Sequence, residues 1–112
     1  MCFIAEENER ILGFACSFAY RGGGVFKDTL ETSVYLDPES KGRGLGSRLY
    51  ETLFNHLGNE SIHRVVVGIA LPNEGSVALH RKFGFEDIGI FDEYAFYKDK
   101  FRSSLWMQKK MG

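Results

Sequence analysis

The sequence has only two prolines, two cysteines and one tryptophan in 112 residues. Few prolines leave long stretches free to pair as strands or run on as helices. Cys2 and Cys16 lie in apolar surroundings at no metal-ligand spacing, so nothing points to a metal site or a disulfide scaffold. They read as two reduced, buried thiols of a cytoplasmic protein. No apolar run approaches the ~20 residues needed to span a bilayer. The N-terminus has no charged segment followed by an apolar one. A soluble protein with no membrane partner is expected. An excess of one charge is also missing. With a formal net charge of -1, the chain has no bulk attraction to nucleic acid, so any anion must be held by local geometry.

No repeat, low-complexity tract or linker divides the chain. Residues 1–112, 44% hydrophobic, read as one domain with a modest core. Cys2 to Ala5 and Ile11 to Tyr20 are two strands joined by a tight turn at "EENER". "RGGGVFKDT" has no periodicity and is a loop, after which "LETSVYL" alternates as a strand. On that strand Glu31, Ser33 and Tyr35 share one face, and Thr32, Val34 and Leu36 the other. Helical spacing of Leu49, Leu53 and Leu57 predicts a helix over Gly46 to Leu57. "RVVVGIAL" is valine-rich throughout, as expected of a central strand covered on both faces. A short helix capped by Asn73 and ended by Gly84 follows, then two closing strands, "FEDIGIF" and "SSLWMQKK". The order implies an α/β or α+β fold, a mixed sheet with helices packed on it.

The segment "KGRGLG", Lys41 to Gly46, alternates glycine with other residues between a strand and a helix start. Alternating glycines let successive N–H groups turn inward, and the helix start adds unpaired N–H groups and the positive end of its dipole. Lys41, Arg43 and Arg48 surround the same point with positive charge. Such a concavity suits a phosphate, although glycine-rich turns also occur here without any ligand. A P-loop requires Lys-Ser/Thr after its last glycine, whereas Ser47-Arg48 follows Gly46. The spacing in "GRGLG" does not fit a dinucleotide fold either.

"VYLDPESKGRGLGSRLYETLF" resembles the acetyl-CoA motif of the GNAT superfamily of N-acyltransferases. Lys41 stands where that motif usually has Arg or Gln. "LPNEGSVALHRKFGFEDIG" is similar to the family segment whose asparagine meets the pantetheine arm. Through "LETSVYL", "NEGSVALHRKFGF" and "SSLWMQ" the likeness extends to the phosphinothricin and methionine-sulfoximine acetyltransferase group and covers nearly the whole chain. The resemblance implies a mostly antiparallel GNAT-like sheet, here without the first strand and helix pair of complete members. An uncovered apolar face of that kind suggests a homodimer.

It further implies acetyl transfer from acetyl-CoA, with no metal, to the primary amine of a small amino acid or analogue. A protonated amine must lose a proton before it attacks, and a departing thiolate needs a proton or donors. In that scheme Glu31 is the base and His80 a general acid or acceptor-orienting group. Val34, Tyr35 and Leu36 line the pantetheine and acetyl carbonyl. Lys41, Gly42, Arg43, Gly44, Leu45, Gly46 and Ser47 hold the pyrophosphate, and Asn73 bonds the pantetheine arm unless it only caps its helix. Arg21 and Phe26 fall where relatives place the acceptor amino acid. The competing reading is a non-catalytic coenzyme-binding or interaction module.

His56 and His63 have no ligand-like neighbours and read as solvated. Tyr94, Phe96, Tyr97 and Phe101 could imitate a base-stacking stripe, yet their place between two closing strands reads as core plus loop, or an interface. No nucleic-acid partner is expected.

Overall fold

The computed structural model describes residues 1–112. Its six strands join one sheet in the order β1-β2-β3-β4-β6-β5. β1 (Cys2–Glu7) and β2 (Arg10–Ala19) form the opening hairpin. Its turn is Asn8-Glu9, both at positive φ (51° and 64°), as a two-residue hairpin connection requires. β3 (Thr29–Leu36) lies antiparallel to β2 and parallel to β4 (Arg64–Ala70). The crossover between those parallel strands carries α1 (Leu45–Leu57). α2 (Glu74–Lys82) follows β4, and the antiparallel hairpin β5 (Glu86–Tyr97) and β6 (Lys100–Lys110) closes the chain. The mixed, mostly antiparallel sheet with two helices matches the expected fold class.

The core lies between the helices and one face of the sheet. Leu49, Leu53 and Leu57 recur every fourth residue along α1 and meet Ala15 of β2, Val65, Val67 and Ile69 of β4, and Leu105 and Met107 of β6. Phe85 enters the same cluster immediately after α2. The alternate residues of these strands face away from the helices and form an open sheet face.

Three expectations are corrected. β4 is central but not covered on both faces: Val65, Val67 and Ile69 are buried, while Gly68 and Ala70 are exposed. The aromatic stretch near the end is not core plus loop. β5 runs through it to Tyr97, the turn is only Lys98-Asp99, and Tyr94, Phe96, Tyr97 and Phe101 are exposed. The thiols of Cys2 and Cys16 are neither reduced nor buried but joined in a disulfide. The register explains it, because β1 and β2 place the two residues directly opposite each other. No helix is long and apolar enough to cross a membrane.

Leu53 is fully buried where α1 meets the sheet. Leu53→Ala is expected to lower unfolding stability by about 2–5 kcal/mol, the usual cost of truncating a core leucine. Urea unfolding followed by circular dichroism measures it.

Candidate functional site

β3 and β4 pair through only three registers, Thr29 with Arg64, Leu30 with Val65 and Glu31 with Val66. Beyond Glu31 the two parallel strands part. The peptide groups on that edge of β3 have no strand partner, and the sheet opens as a fork whose vertex is the Glu31–Val66 pair. At the mouth of the fork lies a cavity of about 800 Å³, bounded by the end of β3, the glycine loop and α2.

The loop is built to be held open. Asp37 accepts a hydrogen bond from the Glu39 N–H (3.1 Å) and pairs with Arg10, which also reaches Glu39 at 2.7 Å. The Glu39 N–H first, and Arg10 second, keep the Asp37 carboxyl below its ordinary pKa. Arg43 is tied to Glu7 of β1 at 3.0 Å. Between these anchors Gly42 and Gly44 adopt φ of 84° and 73°, a left-handed conformation that favours glycine. Gly44 then caps α1, and the Arg48 N–H bonds back to its carbonyl at 3.2 Å. The N–H groups of Leu45, Gly46 and Ser47 therefore precede any partner within the helix and are available to an anion in the cavity.

Val34, Tyr35, Leu36, Lys41, Gly42, Gly44, Leu45, Gly46, Ser47 and Asn73 all line this cavity. Arg43 does not, because its guanidinium is held by Glu7. The Asn73 Oδ1 accepts the Ser76 N–H at 3.1 Å and so caps α2, which leaves its amide nitrogen for a ligand. Sequence reasoning missed Ser40, Gly75, Ser76, Leu79 and Lys82, which also form the wall. Lys82 donates to Ser47 Oγ at 2.9 Å, bringing a cation from the last turn of α2 to the first turn of α1. The helical spacing of Gly75, Leu79 and Lys82 on one face of α2 was the signal that could have found it.

The strand's period of two separates Glu31 from Thr32. Thr32 faces the helices, where its hydroxyl lies 2.9 Å from the Tyr50 hydroxyl, which in turn lies 2.6 Å from His80 Nε2. His80 Nδ1 is 2.6 Å from the Ser76 carbonyl oxygen, which can only accept, so Nδ1 carries the proton. Donation therefore runs from Thr32 to Tyr50, from Tyr50 to His80 and from His80 to Ser76. Burial pushes the Tyr50 hydroxyl pKa up and the His80 pKa down, so both stay neutral. This corrects the expectation for His80. The residue is 1% exposed, spends both ring nitrogens on the core and does not line the cavity.

Glu31 lies on the open face, half-buried, and desolvation raises its pKa. Arg21 and Phe26 lie in the glycine-rich connection before β3, at the opposite end of that strand from the cavity. Arg21 donates from Nε to the Tyr20 hydroxyl at 3.1 Å, and Phe26 packs edge-on against the Tyr20 ring at 5.1 Å. His56 and His63 are exposed, with His56 also against the Phe3 ring.

A parallel pair that forks beside a glycine-loop anion cradle fits a phosphate-bearing ligand whose arm enters a sheet. The family model described as "Acetyltransferase (GNAT) family" matches residues 1–85, and the chain belongs to that family. It is 39% identical over 105 residues to a phosphinothricin N-acetyltransferase of Streptomyces coelicolor, covering 94% of this chain and 61% of that protein. It is 35% identical over 82 residues to an L-methionine sulfoximine/L-methionine sulfone acetyltransferase of Salmonella typhimurium, covering 73% of this chain and 48% of that protein. The chain thus spans about half to three fifths of the length of these relatives. Among solved structures it superposes on a phosphinothricin acetyltransferase from Sinorhizobium meliloti in complex with acetyl-CoA. That match has a TM-score of 0.86 and 28% identity over 96% of this chain and 58% of the other.

Two outcomes follow from the geometry. Lys82→Ala is expected to weaken coenzyme A binding about 10-fold, the scale of one lost charge-assisted phosphate contact, with an unchanged melting temperature because Lys82 is exposed. Calorimetric titration and a thermal melt check both. His80 has a lowered pKa in the folded state, so the unfolded chain binds its proton first as pH falls. Stability from this group is complete above the ordinary histidine pKa of about 6.5 and declines below it. Urea midpoints between about pH 7 and 5 should show that slope, and His80→Gln should flatten it.

Proposed function

We propose that this chain carries the coenzyme site and the catalytic base of an acetyl-CoA-dependent N-acetyltransferase. Its acceptor in this reading is the primary amine of a small amino acid or analogue of the phosphinothricin or methionine sulfoximine kind. The observation that supports it most is the fork, with an anion cradle at its mouth and a carboxylate at its vertex.

The cradle fits the group. The first-turn N–H groups of α1, with Lys41 and Lys82 nearby, suit a diphosphate, and the unpaired edge of β3 at Val34 to Leu36 suits the amides of a pantetheine arm. The Asn73 amide nitrogen borders the same passage. Acetyl-CoA supplies the thioester acyl group. Glu31 accepts a proton from the incoming ammonium group and frees the nitrogen lone pair to attack the thioester carbonyl. As the C–N bond forms the C–S bond breaks, and CoA leaves as a thiolate that takes up the second proton lost by the nitrogen, so that amide and thiol are released. A carboxyl whose pKa is raised by desolvation is a better match to that task than a solvated one, because its basicity moves toward neutral pH. His80 contributes by position: through Tyr50 it holds Thr32, and with it the strand register that points Glu31 the other way. The same reading includes a homodimer, supported by the exposed apolar side chains of the β5–β6 hairpin.

Glu31→Gln is expected to lower kcat by about 10²-fold or more, the range for a lost general base, while coenzyme affinity stays the same. The unaltered chain should also lose kcat/KM on the acid side at a pH above the ordinary glutamate pKa, since the base form disappears as pH falls. A thiol-release assay against an amine panel, beside calorimetry with acetyl-CoA and CoA, tests the reading. Binding without turnover on any amine would favour the non-catalytic module, and no binding would reject both.

A further inference from the structure

Glu31 takes its surroundings from two ladders at once. In the antiparallel pairing of β2 with β3 it stands directly opposite Phe18, and in the parallel pairing of β3 with β4 it stands opposite Val66. Residues paired in this way share a face of the sheet, with Cβ atoms about 5 Å apart across an antiparallel ladder. The carboxyl group therefore rises from the open face between a phenyl ring and a valine. Beyond Val66 the apolar surface continues, because the Trp106 indole lies flat over Gly68, where an added Cβ would stand 2.7 Å from Cζ2. Phe18 itself takes no part in the core: it is 46% exposed, whereas its neighbour Ser17 turns to the helices and is buried.

The charged and titratable groups around Glu31 are engaged elsewhere or distant. On β2 the nearest residue of the same face is Cys16, joined to Cys2 and unable to titrate. On β4 it is Arg64, whose guanidinium donates to the carbonyls of His63 at 2.8 Å and Gly112 at 3.0 Å. Thr29 and Ser33 flank Glu31 on β3, followed by Tyr35, whose ring stacks on Phe14. In the connection before β3, Arg21 bonds Tyr20, and Lys27 pairs with Asp28 at 2.7 Å. Opposite Val66 on β6 stands the uncharged Gln108. Lys110 of β6 and Glu86 of β5 lie two and three strands from Glu31, roughly 10 Å or more at the usual strand spacing.

Resting on the reading of Glu31 as the base, we propose that Phe18, aided by Val66, keeps water from the Glu31 carboxyl and so sets the pH range over which it takes a proton from the acceptor. Phe18 acts only through Glu31. Lost hydration disfavours the carboxylate and makes it a stronger base, and desolvation is the cause that raises the Glu31 pKa. A polar side chain at position 18 readmits water, returns the carboxyl toward its ordinary pKa and lets the base form persist to lower pH.

Three variants test this. Phe18→Ser admits water, Phe18→Leu keeps an apolar cover, and Val66→Thr exchanges a methyl for a hydroxyl on the other side. Glu31 is followed by carbon-13 NMR of its side-chain carboxyl, identified by the signal missing from Glu31→Gln, and kcat/KM for an amino-acid acceptor is measured over the same pH range. Phe18→Ser and Val66→Thr should both lower the Glu31 midpoint, and Phe18→Leu should hold it. The acid limb of kcat/KM should move with the midpoint. In Phe18→Ser the value at a fixed acid pH, relative to the plateau, should therefore rise, whereas a merely structural loss would lower both alike. A midpoint unmoved in Phe18→Ser, or lowered equally in Phe18→Leu, would overturn the assignment; if Phe18→Ser does not fold, an unmoved midpoint in Val66→Thr overturns it. A midpoint that falls while the acid limb stays in place would reject Glu31 as the base and uphold Phe18 as the shield of its carboxyl.

Discussion

The site depends on two parallel strands that stop pairing after three residues. A parallel ladder normally continues for the length of the shorter strand, because each unpaired peptide group forfeits a hydrogen bond. Here β3 is held from its other side instead. Its ladder with β2 runs from Leu30 to Leu36, and the Asp37 N–H adds a bond to Leu12 at 2.8 Å. β4 is held in the same way by β6 along all seven of its residues. Each strand is thus fixed by an antiparallel neighbour, and the gap between them persists because neither needs the other. The edge left open is a row of peptide donors and acceptors facing the cradle of α1.

Glu31 and Thr32, which leads through Tyr50 to His80 of α2, show how one strand serves two environments. Thr32, the neighbour of Glu31, completes a hydrogen-bonded chain that ends inside the core at the Ser76 carbonyl. Every group in that chain is neutral and satisfied, as a buried polar network must be if it is to stabilise rather than weaken a core. Glu31 gains no such partner and bears the desolvation alone. The two titratable groups therefore move apart in character: the histidine becomes a fixed neutral donor and acceptor, and the carboxyl becomes more basic.

Much of this was legible in the sequence because it rests on local pattern. The leucine spacing of α1, the alternation in "LETSVYL" and the glycine run each follow from neighbours along the chain, and the structure reproduces them within a residue or two. The sides of Glu31 and Thr32 followed from strand period alone. What escaped required knowing which elements meet. Burial of His80 depends on Tyr50, thirty positions earlier. The involvement of Arg43 with Glu7 depends on how β1 passes the loop, and the cystine depends on the register of a hairpin. Valines on both faces of β4 suggested two covered sides, but the second is shielded only in part, by the flat indole over Gly68.

β5 lies at the border of the sheet with every residue exposed, several of them large and apolar. Such a border invites strands of foreign chains to add on and grow into fibrils. The irregularity between Phe91 and Ala95, where Glu93 turns to φ 46° between charged and aromatic neighbours, breaks the strand into two short lengths that do not lie on one line. Neither length offers the straight, uncharged template that amyloid-like stacking needs, so this bend lets the chain carry an oily margin without the hazard of aggregation.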